Sequence, residues 1–242
     1  MLPKIEHPIS TFIIPSTKKS VRVRPYVTKE EKILLIAKES GNSKEILEAV
    51  KQIINNCMID SDVNVNKLTT FDIEYLYLKL YAISVSNMVH IEYTDYEDKE
   101  DEKGNKKLYK FNIDLLGIEV TYPEHVNNRI KINNDMGIVM KYLTMDIPES
   151  LYKKESKVEV LFSLINLCID KVWKNDELFD FAEQSEQEKL EFVENLPNHT
   201  LEDISKFFKH MPKILYVIHY KNQQNNDRQI RLEKLDDFFS FR

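Results

Sequence analysis

The chain has 242 residues, 42% of them hydrophobic and 31% charged, which is enough to bury a substantial core and too balanced for global disorder. Its 34 basic and 40 acidic side chains leave a formal charge of −6, which argues against non-specific binding along a nucleic-acid backbone. No apolar run approaches the ~20 residues of a membrane span, and no charged segment followed by an apolar core marks an export signal, so a reducing cytoplasm is the expected setting.

Residues 1–38 hold eight basic and three acidic side chains, about +5, leaving about −11 for the remainder. That split suits either an acidic partner for the N-terminal arm or an internal contact with the acidic body. Pro3, Pro8, Pro15 and Pro25 keep the first 27 residues extended, because each fixes its own φ and turns the preceding residue out of the α region. Between them, Phe12-Ile13-Ile14 and Val21-Arg22-Val23-Arg24 read as short strands, the second with one apolar and one basic face. Thr28 and Glu31 have capping-box spacing before a helix that carries Ile33, Ile36 and Ala37 and ends near Gly41. A second helix starts near Ser43, with Ile46, Leu47, Val50, Ile53 and Ile54 on one face. Thr69 and Asp72 repeat the capping spacing ahead of a longer amphipathic helix, with Ile73, Leu76, Tyr77, Leu80 and Ile83 inward.

After Asn87 the apolar period changes to two. Val89, Ile91 and Tyr93, then Tyr109, Phe111 and Ile113, predict two strands joined by a charged, exposed hairpin loop over 95–107. Further short strands are expected at 118–120 and 129–132. An α+β domain over residues 1–147 results, with its extended N-terminal arm, antiparallel strands and a boundary at Pro148. Residues 148–242 read as mainly helical, closing on a β-hairpin. Ser156/Glu159, Ser185/Glu188 and Thr200/Asp203 supply capping spacings. From the first of these a continuous helical stripe runs through Val158, Leu161, Phe162, Ile165, Cys168, Ile169 and Val172 to Trp173. Residues 213–220 and 229–232 predict the terminal hairpin, and 234–239 a one-turn helix. No repeat of about 20–50 residues marks a solenoid.

Four glycines (Gly41, Gly104, Gly117 and Gly137) build neither a GxGxxG nor a phosphate-cradling GxxxxGK[ST] pattern. The histidines at 7, 90, 125, 199, 210 and 219 form no HExxH, and His210 with His219 alone falls short of a zinc ligand set. Cys57 and Cys168 lie among apolar residues and suit buried small hydrophobes, with a disulfide or a nucleophile as the alternatives. The carboxylates of 95–102 alternate with lysines, and so lack the desolvation that raises a general acid's pKa. No nucleophile elbow supports a Ser–His–Asp triad. The chain is expected not to be an enzyme, and no cofactor or metal is expected.

Two blocks carry a resemblance. The first, over residues 2–40, comprises Leu2-Pro3, Pro8, Pro15-Ser16-Thr17, Arg24-Pro25-Tyr26 and Glu30-Glu31-Lys32 running into Leu34-Leu35. The second is Leu68-Thr69-Thr70-Phe71-Asp72-Ile73-Glu74-Tyr75-Leu76. Shorter echoes follow at Phe207-Phe208, Met211-Pro212-Lys213 and Leu235-Asp236-Asp237-Phe238-Phe239. In this order they resemble the baseplate hub family of T-even-type contractile-tailed phages, a group covering a hub subunit and a hub assembly factor. Several relatives carry Cys-x-x-Cys in the terminal hairpin where this chain has Lys221-Asn222-Gln223-Gln224. A zinc-pinned hairpin therefore cannot be carried over, and Leu215, Val217, Ile230 and Leu232 are expected to hold it by packing.

The resemblance implies a non-enzymatic morphogenesis protein that promotes assembly of the baseplate central hub, a chaperone of hub proteins or of the tape-measure protein. A structural hub subunit retained in the virion is the alternative, and a cell-wall-degrading hub enzyme a further one. Partners would be hub proteins and the tape-measure protein, with no nucleic acid and no membrane, in the cytoplasm of the infected host or in the tail baseplate. Arg22, Arg24, Pro25, Tyr26, Tyr75, Phe238 and Phe239 are the candidate partner-binding residues. The arginines would pair with a partner's carboxylates and the rings would act as anchors. The competing readings are an edge strand protected by charge and rings that cover the chain's own core.

Overall fold

The computed structural model describes residues 3, 5–60, 62–124, 127–152 and 156–239; Leu2 of the first block and His125 lie outside them. The fold is α+β, with helices and small antiparallel sheets. Contacts divide the chain into one unit of residues 1–121 with 213–242, and a second unit of 122–212 inserted into it. The division lies elsewhere than the expected boundary at Pro148, because strands on either side of that proline pair in one sheet.

In the first unit β1 (Ser10–Ile13) pairs antiparallel with β2 (Ser20–Val23), Phe12 opposite Val21. The expected alternation holds in β2: Val21 and Val23 are buried, and the arginines between and after them are not. Helix α1 (Thr28–Glu39) begins one residue earlier than its spacing suggests. Glu30, not Glu31, reaches back to the first-turn donors, accepting from the Val27 N–H at 3.0 Å. Its buried face is Leu34 and Ala37, while Ile36 stays exposed. Helix α2 (Ser43–Cys57) buries Val50, Ile53 and Ile54 as its period requires.

Helix α3 (Thr70–Ser84) opens on the expected Thr69–Asp72 capping box. It is not amphipathic, however. From Phe71 to Ala82 every residue is buried except Glu74, which is half-buried, so α3 is the central rod of the unit. Its Lys79 ammonium donates to the carbonyls of Leu116 and Ile118, both at 2.6 Å, and thereby caps a 3₁₀ turn over Leu115–Gly117. Burial pushes this ammonium below its ordinary pKa, against the pull of Glu119. Strands β3 (Met88–Thr94) and β4 (Leu108–Asp114) form the expected hairpin, and β5 (Val120–Thr121) ends this part of the unit.

The inserted unit is a four-stranded antiparallel sheet with helices on its core side. Its strands are β6 (Arg129–Lys131), β7 (Met136–Met140), β8 (Ile169–Lys174) and β9 (Glu177–Asp180), in that order. The stripe that runs through Trp173 is helix only as far as Cys168. Helix α4 (Glu149–Tyr152) is short, α5 (Lys157–Cys168) follows it, and the chain then turns extended to pair β8 with β7. Gly137 lies opposite Trp173, whose ring occupies the space a Cβ at that position would need. Helix α6 (Glu186–Glu194) uses the Ser185–Glu188 box. Helix α7 (Asn198–Lys209) starts before Thr200, so Thr200 is buried inside the helix instead of capping it. Ile130, Ile138, Ile165, Ile204 and Phe207 lie at the centre of this unit's core.

Returning to the first unit, β10 (Lys213–Ile214) pairs with β5, and β11 (Tyr216–Lys221) with β12 (Asp227–Leu232). Ile214, Ile218 and Leu232 are the buried residues here, a shift of face from the expected Leu215 and Val217. The one-turn helix α8 (Leu235–Phe239) closes the chain.

Candidate functional site

The candidate partner-binding residues are mostly occupied within the protein. Arg24 donates to Glu30 at 2.9 Å and to the Asn56 carbonyl at 3.0 Å, and Glu30 has no exposure to solvent. Burial opposes charge on Glu30, but bonds from Arg24 and the Val27 N–H hold its carboxyl below the usual range. Arg22 makes a two-pronged pair with Asp60, at 2.9 and 2.8 Å, on the surface. The positive charge of these two arginines is thus met internally.

The candidate rings serve the core. Pro25 and Tyr26 are buried, and the Tyr26 N–H donates to the Ser84 hydroxyl at 2.9 Å. Tyr75 is buried beneath the Lys79 ammonium, 4.9 Å from its ring centroid, and burial lifts its hydroxyl pKa to about 12. Phe238 is fully buried, and Phe239 lies against Tyr81 (4.6 Å) and Tyr77 (6.3 Å). None of the four rings is a free anchor. On the arm, the exposed apolar side chains are instead Ile5 (82%), Ile9 (59%) and Ile13 (57%). Their odd-numbered positions place the three on one side of an extended segment, as a row and not as scattered single residues.

The charged loop over 95–107 is also partly engaged. Asp95 and Asp98 are buried, and they grip the tip of the terminal hairpin. Tyr220 donates to Asp95 at 2.8 Å, while Asp98 accepts from Tyr109 at 2.8 Å and from the Gln223 N–H at 2.9 Å. Arg228 pairs with Glu97, and the Gln224 amide donates to the Glu97 carbonyl at 2.7 Å. Polar clamping therefore acts where the Cys-x-x-Cys of the resemblance would lie, alongside the packing of Tyr220 on Tyr109 and Phe111. Among the described residues, no three His, Cys, Asp or Glu side chains converge to hold a metal ion. Cys57 and Cys168 are free and buried, and burial raises their thiols to about 11 and about 12, away from nucleophilic reactivity.

The inserted unit holds a cleft of about 780 Å³. Arg129 and Lys131 of β6 form one wall, and Asp203, Lys206 and Phe207 of α7, with His210 just after it, the other. Trp173 closes one end, with the Arg129 guanidinium 4.9 Å from its ring centroid. Lys206 is paired with Asp203 at 2.8 Å. Arg129 and Lys131 have no carboxylate partner among the described residues. Their alternation with Ile130 and Ile132 is the same basic–apolar pattern that marks Arg22 and Arg24, and it signals this wall of the cleft.

A family model described as T4 bacteriophage base plate protein matches residues 7–240, nearly the whole chain. No curated protein and no solved structure matches the chain. Among the described residues, no helix is long and apolar enough to cross a membrane.

Proposed function

The chain belongs to the T4 bacteriophage base plate protein family, and on that footing we propose that it is a non-enzymatic morphogenesis protein that promotes assembly of the baseplate central hub. The family match over residues 7–240 carries this reading, because it spans the arm and the inserted unit together. The exposed isoleucines of the arm support it, as a surface suited to burial against another protein. On this reading the clients are hub proteins and, by analogy with other long-tailed phages, the tape-measure protein, whose long helices need shielding before the tube forms. The protein acts in the cytoplasm of the infected host.

A second reading, a structural hub subunit retained in the particle, draws on the family description itself, which names a base plate protein. Quantitative mass spectrometry of purified virions beside infected-cell lysate separates the two. Abundance in lysate with absence from virions is the result expected of an assembly factor. A fixed copy number per virion selects the subunit.

A further inference from the structure

We propose that the cleft between β6 and α7 accepts an extended acidic segment of a partner protein as an added strand along the free edge of β6. The Met140 N–H bonds the Asn128 carbonyl at 2.7 Å, and the Ile132 N–H bonds the Met136 carbonyl at 2.9 Å. Residues 128, 130 and 132 therefore point their backbone groups toward β7. Antiparallel alternation then turns those of Arg129 and Lys131 outward, along the cleft. Asn127 takes the Arg129 N–H at 2.9 Å. The Arg129 carbonyl and both backbone groups of Lys131 have no partner among the described residues. An unpaired edge inside a concavity is the geometry of strand addition, in which main-chain bonds supply affinity and alternate side chains supply specificity.

The side chains define the segment. Arg129 and Lys131 stand on the Trp173 side of the sheet, whereas Ile130 turns to the core side with Phe207. An added strand with carboxylates at alternate positions meets the two cations, and the residues between them meet Phe207. The cleft lining holds three cations (Arg129, Lys131 and Lys206) against two carboxylates (Asp203, paired with Lys206, and Glu124), so its net charge is positive although the whole chain is acidic. The proposal rests on the preceding reading only for the source of the segment, another protein of the same baseplate.

Trp173 is the only tryptophan of the chain and lies in the cleft, so its fluorescence reports occupancy directly. The probe is a synthetic peptide of alternating glutamate and valine, compared with the same peptide carrying lysine for glutamate and with one interrupted by a central proline. We expect a saturable change in Trp173 emission with the glutamate peptide alone, and slower hydrogen exchange at the Lys131 amide in its presence. Arg129→Glu with Lys131→Glu should weaken binding by at least about tenfold. Lys131→Glu alone serves if the double variant fails to fold. No response to the glutamate peptide, equal binding of the lysine peptide, or an undiminished response in the folded variant overturns the proposal. None of these measurements involves a second baseplate protein, so their failure leaves the baseplate role standing.

Discussion

Ser16 and Asp72, 56 positions apart, are joined by two hydrogen bonds: the Ser16 N–H to Asp72 Oδ1 at 2.8 Å and the Ser16 hydroxyl to Oδ2 at 2.5 Å. The same carboxylate accepts the N–H and hydroxyl of Thr69, at 2.9 and 2.7 Å. The N-cap of the central helix is thereby also the anchor of the N-terminal arm. The Pro15-Ser16-Thr17 and Leu68–Leu76 blocks of the sequence meet at this one buried side chain. Asp72→Ala should cost about 2–4 kcal/mol, since it strips a cap and leaves buried donors unmet. Ser16→Ala should cost about 1 kcal/mol. In denaturant unfolding the double variant should be less destabilised than the two singles combined, whereas full additivity would show the contact to be inert.

Lys79 offers a second stability test. Lys79→Met preserves much of the side-chain volume but leaves the Leu116 and Ile118 carbonyls without their buried donor. A loss of about 2–4 kcal/mol is expected in chemical denaturation. A neutral substitution would mean that the apolar surroundings stabilise Met as well as the carbonyls stabilise the ammonium.

Charge reversal separates the two arginines of the arm. Arg24→Glu places a second carboxylate against buried Glu30 and should destabilise the protein by about 3–5 kcal/mol. Arg22→Glu disrupts an exposed pair, so its melting temperature should stay close to wild type. Thermal melts of the two single variants decide this, and equal effects would contradict the assigned burial.

Glu74 gives a pH signature. Burial raises its pKa from 4.5 to about 7; Lys234 pulls it down, while Asp236 and Asp237 push it up. Between those values the folded protein holds a proton that the unfolded chain releases. Stability therefore falls as pH rises through this window, and the full penalty stands above about 7. Glu74→Gln should raise the melting temperature at pH 8 by a few degrees and flatten its pH dependence between 5 and 8. An unchanged pH profile would show that Glu74 is solvated.

Local signals were readable in the chain and distant partners were not. The Thr69–Asp72 and Ser185–Glu188 caps span three residues, and the period-two pattern of 88–114 is set by a single hairpin, so both were legible. Ile169–Lys174 has spacing that suits a helix. It is a strand because β7, some thirty residues earlier, offers it an edge and Gly137 makes room for Trp173. Arg24 reads as a surface cation until α1 brings Glu30 back against it. Asp98 sits in a run of charges, and its hairpin partner Gln223 lies 125 residues away. Tyr26, Tyr75 and Phe238 read equally as anchors or core, and only burial decides between them. Residues 129–132 were legible as a short strand, but the cleft beside it depends on α7, far along the chain.

Co-expression with the phage's baseplate hub proteins, followed by pull-down, bears most directly on the assembly role. The wild-type chain should retain at least one hub protein. Ile9→Glu with Ile13→Glu should reduce that recovery about tenfold while the circular dichroism and melting temperature stay unchanged, because these side chains are exposed in the free protein. Retention of no hub protein by the folded wild-type chain would contradict the assembly role, and undiminished retention by the double variant would remove the arm from the interface.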